Sequence, residues 1–343
     1  MTNFFSANHV YIDERTYFSK IEEGRMKSLR SRNYVFGILI AISCLLSNCL
    51  TFGNIEDRMT KTFPVGSGGT LAIESDIGSI TVHGADIDSI EIEILREVKT
   101  TSEKKASEIL KDYDIQFNHT GNDVTIEAKY KKKGLRGFWN NIGKYLRVKF
   151  IIAVPSEYNV DLNTKGGSIT VEHLHGEVLS KTSGGSLNFD NIEGNISGKT
   201  SGGSISIGEV VGRSNIRTSG GSIHIRLAEG PVDAQTSGGS ITVEEVIGTI
   251  KAHTSGGAVK AYLSRQPNFD CSLTTSGGSI TVHLSEDIGL DVNAKSSGGR
   301  VHTDFPVSIS GEISKRSMQA EMNGGGPELY LRTSGGSIYL KKR

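Results

Sequence analysis

The stretch TSGGSISIGEVVGRSNIRTSGGSI, from Thr200 to Ile223, contains the letters TSGGSI twice, and the second copy begins 18 residues after the first. Glycine pairs begin at this interval at Gly166, Gly184, Gly202, Gly220, Gly238 and Gly256, then 21 residues apart at Gly277 and Gly298, and again at Gly335. A fixed period of this size is typical of a solenoid, in which each repeat stacks on its neighbour. Apolar residues alternate after each pair, as at Ile205 and Ile207, which predicts a β-strand with one buried face.

A further glycine divides each of the five regular units. It stands ten residues after the first glycine of the pair, at Gly176, Gly194, Gly212, Gly230 and Gly248. A second alternation follows it, and its second inward position is small in most units, at Ser180, Gly198, Ala234 and Ala252. Each coil is therefore predicted to contain two strands around a thin, flattened interior. The repeat as a whole predicts an all-β fold, a parallel β-solenoid (β-helix) with coils of about 18 residues.

The TSGG corner has two interpretations. As a fold device, its glycines reach positive φ without a Cβ clash, and its recurring threonine can form a hydrogen-bonded ladder along the stack. As a ligand site it would need more than glycine. The pairs are not followed by Lys-Ser or Lys-Thr and a helix, as a phosphate loop requires, and no aspartate recurs there for calcium. The sequence favours the fold device.

Composition and side-chain patterns argue against several functional classes. Lysine plus arginine equal aspartate plus glutamate at 38 each, so we expect no nucleic-acid partner. Outward carboxylates do not cluster as glycan-cleaving enzymes require, and the histidines occupy no shared position of the repeat. Cys271 has no recognisable catalytic partner. We therefore expect no catalytic residues, no metal and no cofactor.

The N-terminal region reads as a targeting segment. Lys27, Arg30 and Arg32 precede the apolar run Tyr34 to Leu46, which predicts a signal peptide or a membrane anchor over residues 26–53. Residues 1–25 are then a leader or precede the true start at Met26. Cys49 follows Leu46-Ser47-Asn48 and is a candidate for lipidation, although Asn48 is unusual there. These features predict export to the cell envelope, with membrane association through an anchor or a lipid.

Residues 54–165 are predicted to form irregular N-terminal coils, followed by the regular repeats of residues 166–343. Thr101 to Tyr113 reads as a short helix that caps the solenoid end. Residues 131–146 combine Lys131, Lys132 and Lys133 with aromatic residues that include Trp139. This insertion is either an amphipathic arm that contacts an anionic membrane or glycan, or a hairpin whose apolar side packs on the solenoid.

A row of basic residues is the strongest candidate binding surface. The position before the recurring threonine is occupied by Lys181, Lys199, Arg217, Gln235 and His253, and later by Lys295 and Arg332. These outward side chains are predicted to form one row that binds an anionic polysaccharide, a lipopolysaccharide or an acidic envelope protein. The alternative is that the charges only keep the sheet face solvated.

The segment IIAVPSEYNVDLNTKGGSITVEHLHGEV, from Ile151 to Val178, resembles the bacterial putative-adhesin family of exported domains of unknown function. The matching features are Val154-Pro155, the strand Asn159 to Leu162 and the repeats of residues 166–343, and the resemblance covers roughly residues 62–343. It implies the solenoid fold and a non-catalytic scaffold or binding module of the cell envelope or surface. An envelope regulatory or stress accessory protein is the alternative, and a glycan-active enzyme is a third hypothesis.

Overall fold

The computed structural model describes residues 54–131 and 145–343, which form β-strands and one short helix, α1 (Glu103–Asp112). The N-terminal strands are β1 (Ile55–Pro64), β2 (Thr70–Ser75), β3 (Ser79–Ala85), β4 (Ser89–Val98), β5 (Tyr113–Thr120), β6 (Asp123–Tyr130), β7 (Leu146–Pro155) and β8 (Asn159–Thr164). The regular coils contain β9 (Ile169–His175), β10 (Val178–Thr182), β11 (Leu187–Glu193), β12 (Ile196–Lys199), β13 (Ile205–Val211), β14 (Ser214–Arg217), β15 (Ile223–Glu229), β16 (Val232–Thr236), β17 (Ile241–Ile247) and β18 (Ile250–Thr254). The C-terminal strands are β19 (Val259–Leu263), β20 (Cys271–Thr275), β21 (Ile280–Leu284), β22 (Leu290–Ser296), β23 (Val301–Thr303), β24 (Val307–Ile313), β25 (Ser317–Met322), β26 (Glu328–Thr333) and β27 (Ile338–Lys342).

These strands form two long sheets whose buried side chains share one hydrophobic core. Sheet 1 has the order β1-β4-β7-β3-β9-β11-β13-β15-β17-β19-β21-β27-β23. Sheet 2 has the order β24-β25-β22-β26-β20-β18-β16-β14-β12-β10-β8-β2-β6-β5. In the centre, each strand pairs in parallel with its copy in the next coil, so that Ile223 lies between Ile205 and Ile241. The predicted parallel β-solenoid is confirmed.

The core follows the predicted alternation. Ile205, Ile223 and Ile241 are at most 1% exposed, and so are the residues two positions further on, Ile207, Ile225 and Val243. On sheet 2 the recurring threonines are also buried, although their hydroxyls are polar. A buried hydroxyl is costly unless it is hydrogen-bonded. Each threonine must therefore find a partner inside the corner.

The threonine of each TSGG corner connects two coils. The Thr218 hydroxyl donates to the carbonyl oxygen of Gly203 in the preceding coil at 2.7 Å and accepts from the amide of Gly221 in its own corner at 3.3 Å. The same donation to a glycine carbonyl of the neighbouring coil is made by Thr182, Thr200, Thr236, Thr254, Thr275 and Thr333. The predicted ladder is confirmed, and it runs through the backbone glycines.

Glycine is required at the two corners for different reasons. At the corner between the two strands of a coil, Gly194, Gly212, Gly230 and Gly248 have φ between 139° and 150°, as predicted. At the TSGG corner the φ of Gly221 lies outside the left-handed region, but a Cβ there would stand 2.1 Å from the carbonyl oxygen of Gly203. The prediction of positive φ is wrong at this glycine, because close approach of neighbouring coils is what excludes a side chain.

The N-terminal coils do not stack in chain order. β2 and β3 form a coil that pairs in parallel with β8 and β9. β6 and β7, which come later in the sequence, pair in parallel with the other side of β2 and β3. Antiparallel strands then cover this end: β5 pairs with β6, β4 with β7, and β1 with β4.

The C-terminal coils also depart from chain order. The last coil of the chain, β26 and β27, pairs directly with β20 and β21. β22 and β23, which precede it in sequence, lie on its far side. The coil that contains Gly335 is therefore inserted between the coils of Gly277 and Gly298. Stacking in sequence order, which the period predicts, ends at β21.

Both ends of the solenoid are blunted. The helix α1 begins after Ser102, whose hydroxyl accepts from the Lys105 amide, and Ala106 is buried against the N-terminal end. This confirms the predicted capping helix. At the other end β25 and β24 add antiparallel strands to sheet 2, and β24 carries an irregularity in its pairing. An irregular edge strand, or an edge covered by a helix, disfavours pairing with another chain.

Several predictions concern residues outside the described ranges. They are the leader of residues 1–25, the targeting segment of residues 26–53 with Cys49, and Lys132, Lys133 and Trp139 of the basic insertion. Within residues 54–131 and 145–343, no helix combines the length and apolarity that a membrane span requires.

Candidate anion-binding groove

The predicted basic row lies in strict register across the outer face of sheet 2. Lys181 pairs with Lys199, and Lys199 pairs with Arg217, so three cations occupy adjacent strands. Strands in a sheet are roughly 4.8 Å apart, which places the three charges along about 10 Å. The row continues through Gln235, His253 and Thr274 to Arg332 and then Lys295. The inserted last coil reverses the order of these two cations relative to the sequence.

The cations of the row differ in how firmly they are held. Lys181 and Lys199 are exposed, and neither forms an ion pair with another residue of the described ranges. Arg217 is 3.4 Å from the Asp233 carboxylate, to which Gln235 also donates. Arg332 is fixed by hydrogen bonds to Asn293 and lies over the Tyr330 ring. Lys181 and Lys199 are thus more available to a ligand than Arg217 and Arg332.

A shallow groove of about 210 Å³ runs beside the middle of this row. One side is formed by Lys199, Arg217, Gln235 and His253, and the other by the corner residues Thr200, Thr218, Thr236, Ser219, Ser237 and Ser255. The serines are exposed, whereas the threonines are buried and already hydrogen-bonded. The groove therefore has two cations, Lys199 and Arg217, followed by Gln235 and His253 along one side, and exposed serine hydroxyls along the other.

The side chains of the row change from positive to negative charge toward the N-terminal end of sheet 2. Beyond Lys181 the same position is occupied by Asn163, then Glu74 and then Glu127. Lys129 bridges the two carboxylates at 2.7 and 3.1 Å, and these contacts raise the pKa of its ammonium group. The positive segment is therefore bounded, which gives an anionic ligand a defined end.

The sequence between residues 69 and 341 matches the model of the Toastrack DUF4097 family. The chain belongs to this family. The match covers most of the chain and agrees with the resemblance to putative adhesins that the repeats indicate. A comparison with curated proteins found no match.

Several solved bacterial structures are similar to this Toastrack chain. A putative adhesin from Bacteroides fragilis is 14% identical, with 83% of this chain and 97% of that chain covered and a TM-score of 0.41. A putative lipid binding protein from Parabacteroides distasonis is 17% identical, with 83% and 96% covered and a TM-score of 0.35. A putative cell adhesion protein from Clostridium sporogenes is 14% identical, with 84% and 100% covered and a TM-score of 0.21.

Of the lysines in the predicted basic insertion, only Lys131 lies within the described part of this Toastrack chain. Lys131 follows β6 at the N-terminal end and pairs with Asp114 at 3.0 Å, so it is separate from the row. Cys271 is buried, and burial raises the pKa of its thiol, which makes it a poor nucleophile. The serine side of the groove was not predicted, although the serines recur as visibly as the glycines next to them.

Proposed function

We propose that this chain is an exported, non-catalytic binding module of the bacterial cell envelope whose groove on sheet 2 binds an anionic polysaccharide. The proposal depends on one observation: Lys181, Lys199 and Arg217 occupy adjacent strands in register. Lys181 and Lys199 have no carboxylate partner in the described ranges. Arg217 contacts the Asp233 carboxylate, which also accepts a hydrogen bond from Gln235. A contiguous row of accessible cations attracts anions and raises their local concentration.

A polymer suits the groove better than a small anion. Each coil presents a side chain of the row and a corner serine at roughly the same 4.8 Å interval. A small anion would contact one or two coils, whereas a chain with recurring carboxylates or sulfates engages several coils at once. Each exposed contact is weak, and their combination provides the affinity.

The residues of the groove support binding without catalysis. Glycan hydrolysis by the usual mechanism requires a pair of carboxylates on either side of the scissile bond. The side chains that line the groove in the described part of the chain are cations, hydroxyls, Gln235 and His253. The Asp233 carboxylate, which contacts two groove residues, is occupied by Arg217 and Gln235. The proposed role is therefore attachment or scaffolding.

Export and envelope association rest on the basic and apolar pattern of residues 26–53. The mass of the protein recovered from a cell-envelope fraction tests this part of the proposal. Loss of residues 1–48 with an acyl group on Cys49 supports it, and an intact N-terminus in the cytosolic fraction contradicts it.

The binding proposal is tested with polygalacturonate as the anionic probe and dextran as the neutral one. In the full chain, Lys181→Gln, Lys199→Gln and Arg217→Gln are combined. We expect polygalacturonate to bind the wild type, dextran not to bind, and the triple variant to bind at least about tenfold more weakly, since three exposed charge contacts are lost. Binding should also weaken as salt rises, because exposed charges are screened over about 8 Å at physiological ionic strength.

The matched control removes three exposed lysines from the other sheet: Lys149→Gln, Lys260→Gln and Lys341→Gln. It changes the net charge equally but leaves the groove intact. If both triple variants lose polygalacturonate equally, attraction is a property of net charge and the groove is not the site. If binding to vesicles with anionic lipid, and not to the polysaccharide, depends on the row, the ligand class is wrong.

A further inference from the structure

Three side chains with metal-binding groups meet on the outer face of sheet 1. They are His83 on β3 and Glu172 and His173 on β9, and their ligand atoms all lie within 4.8 Å of one another. His83 and Glu172 are direct partners in the parallel pairing of the two strands, with His83 Nδ1 3.9 Å from Glu172 Oε2. The two imidazole rings are 5.0 Å apart between centroids and nearly perpendicular.

The backbone at His173 departs from a regular strand. Its φ is +57°, and Asn191, at the equivalent position of the next coil, has a φ of +52°. Asn191 places its side-chain amide 3.3 Å from His173 Nδ1. In this contact the Asn191 amide nitrogen donates to Nδ1 and so orients the ring. Rotation of the amide by 180° would let its oxygen accept from Nδ1–H instead, which leaves Nε2 as the ligand atom. The kink and the amide therefore hold the His173 ring beside His83.

We propose that His83, Glu172 and His173 form a binding site for a divalent transition-metal ion of the Zn²⁺ type. Two imidazoles and one carboxylate are ligands that such ions favour, whereas Ca²⁺ and Mg²⁺ prefer oxygen ligands alone. Ligand atoms around a tetrahedral Zn²⁺ are roughly 3.4 Å apart, given metal–ligand distances of about 2.0–2.2 Å. The 3.9 Å between His83 and Glu172 needs only a small side-chain rotation to reach this value.

The position of the three residues suggests what the ion does. His83 belongs to the β2–β3 coil, and Glu172 and His173 belong to the first regular coil, so an ion would join the two coils through side chains. The β2–β3 coil is the one around which the N-terminal end is built out of chain order. A ligand that binds only the folded state stabilises it by mass action. The ion is therefore a clip for the N-terminal end of the solenoid.

Titration of the full chain, free of any polyhistidine tag, with Zn²⁺ tests the site. We expect His83→Gln, Glu172→Gln and His173→Gln each to weaken Zn²⁺ binding by about tenfold or more. A loss of this size is typical even when the residue removed is only hydrogen-bonded to a metal ligand. Zn²⁺ should raise the melting temperature of the wild type and leave that of these variants unchanged. Ca²⁺ should produce no shift that depends on these three residues.

Two matched variants, His175→Gln and His224→Gln, remove histidines that also face a carboxylate across neighbouring coils, at 3.5 and 3.4 Å. Within residues 54–131 and 145–343, neither belongs to a cluster with a second imidazole. Both should bind Zn²⁺ as the wild type does. Cys44 and Cys49 are present in every variant, so they cannot produce a difference. Equal Zn²⁺ binding by the wild type and the three site variants overturns the proposal, and so does an equal loss in His175→Gln. A variant that melts at the same temperature as the wild type in EDTA is folded. If a histidine variant does not fold, Glu172→Gln still tests the site, because the Glu172 side chain is partly exposed.

Discussion

At the scale of single residues, the two glycines of one corner have opposite structural roles. Neighbouring coils approach so closely that the second glycine of each pair faces a carbonyl oxygen of the preceding coil. At Gly185 an added Cβ would lie 2.0 Å from the Gly167 oxygen. At Gly184 an added Cβ would meet nothing within 4 Å, and its φ lies outside the left-handed region. At this corner the second glycine is therefore a steric necessity and the first has open space. Further along the stack the first glycine is also crowded, since an added Cβ at Gly335 would lie 2.7 Å from the Gly277 oxygen.

We expect Gly185→Ala to lower the free energy of unfolding by about 1–3 kcal/mol, as overpacking does, or by more if the coils cannot separate. Gly184→Ala should be neutral or stabilise the protein by about 0.4–1 kcal/mol, because alanine restricts the unfolded chain. Guanidinium or thermal unfolding of the two variants compares them directly. Equal midpoints would show that the coil contact tolerates a methyl group.

At the scale of the coil, side-chain volumes compensate each other across the thin interior. Four of the five regular coils place a larger residue first and a small one second on sheet 2, as Val232 and Ala234 do. The coil of β13 and β14 reverses this order with Ser214 and Ile216, both buried. The Ser214 hydroxyl has no hydrogen-bond partner among the described residues. The reversal conserves volume but leaves a polar atom unsatisfied.

Ser214→Val combined with Ile216→Ala would give this coil the interior of the next one, which has Ile223 and Ile225 opposite Val232 and Ala234. Removing an unpartnered buried hydroxyl at constant volume should raise the free energy of unfolding by about 1 kcal/mol. Ile216→Ala alone should lower it by about 2–4 kcal/mol, because it leaves a cavity. The unfolding midpoints of the two variants are compared. A double variant no more stable than Ile216→Ala would show that valine at position 214 does not replace the volume lost at position 216.

Strands and helix could be predicted from the sequence because each is encoded locally. The alternation at Ile205 and Ile207 determines which face is buried, and Ser102 with the following residues determines where α1 begins. The order of the end coils could not be predicted. The corners of Gly277 and Gly335 both read TSGGSI and that of Gly298 reads SSGGRV, so all three keep the two glycines and can accept the same register from either neighbour. Pairing through β25 and the connections between these coils select one order, and local sequence contains no signal for them.

The same distinction applies to the sites. The basic row was predictable because its members occupy one position of a strict repeat. The cluster of His83, Glu172 and His173 was missed because β3 belongs to the irregular coils, far from β9 in sequence. A signal was nevertheless present: GSITVH, from Gly78 to His83, aligns letter for letter with GSITVE, from Gly167 to Glu172, except at the last residue. Treating the first as a copy of the second places His83 beside Glu172.

At the scale of the molecule, the solenoid is a stack of equivalent coils between two dissimilar ends. Contacts in the centre run between neighbouring coils, as in the pairing of β11 with β13 and of β13 with β15. The antiparallel strands and the helix α1 lie only at the ends. In such arrays stability is approximately a sum over units and their interfaces. The number of central coils is therefore adjustable, whereas the ends are not.

Deletion of residues 202–219 removes one coil and joins Ser201 to Gly220, which restores the TSGG corner. Val178 and Ile196 keep their pairing, and Ile196 then meets Val232 instead of Ser214. We expect a folded protein with unchanged β-type circular dichroism and a modestly lower melting temperature. Deletion of residues 202–210 removes most of β13 but keeps β14, so sheet 1 loses a strand while sheet 2 does not, and the product should aggregate or unfold. If both deletions are tolerated equally, or neither is, the coils are not interchangeable units.

The solenoid that lacks residues 202–219 also lacks Arg217. Its binding of polygalacturonate should therefore fall while its fold persists. This result would show that the repeat forms the scaffold and the basic row binds the ligand.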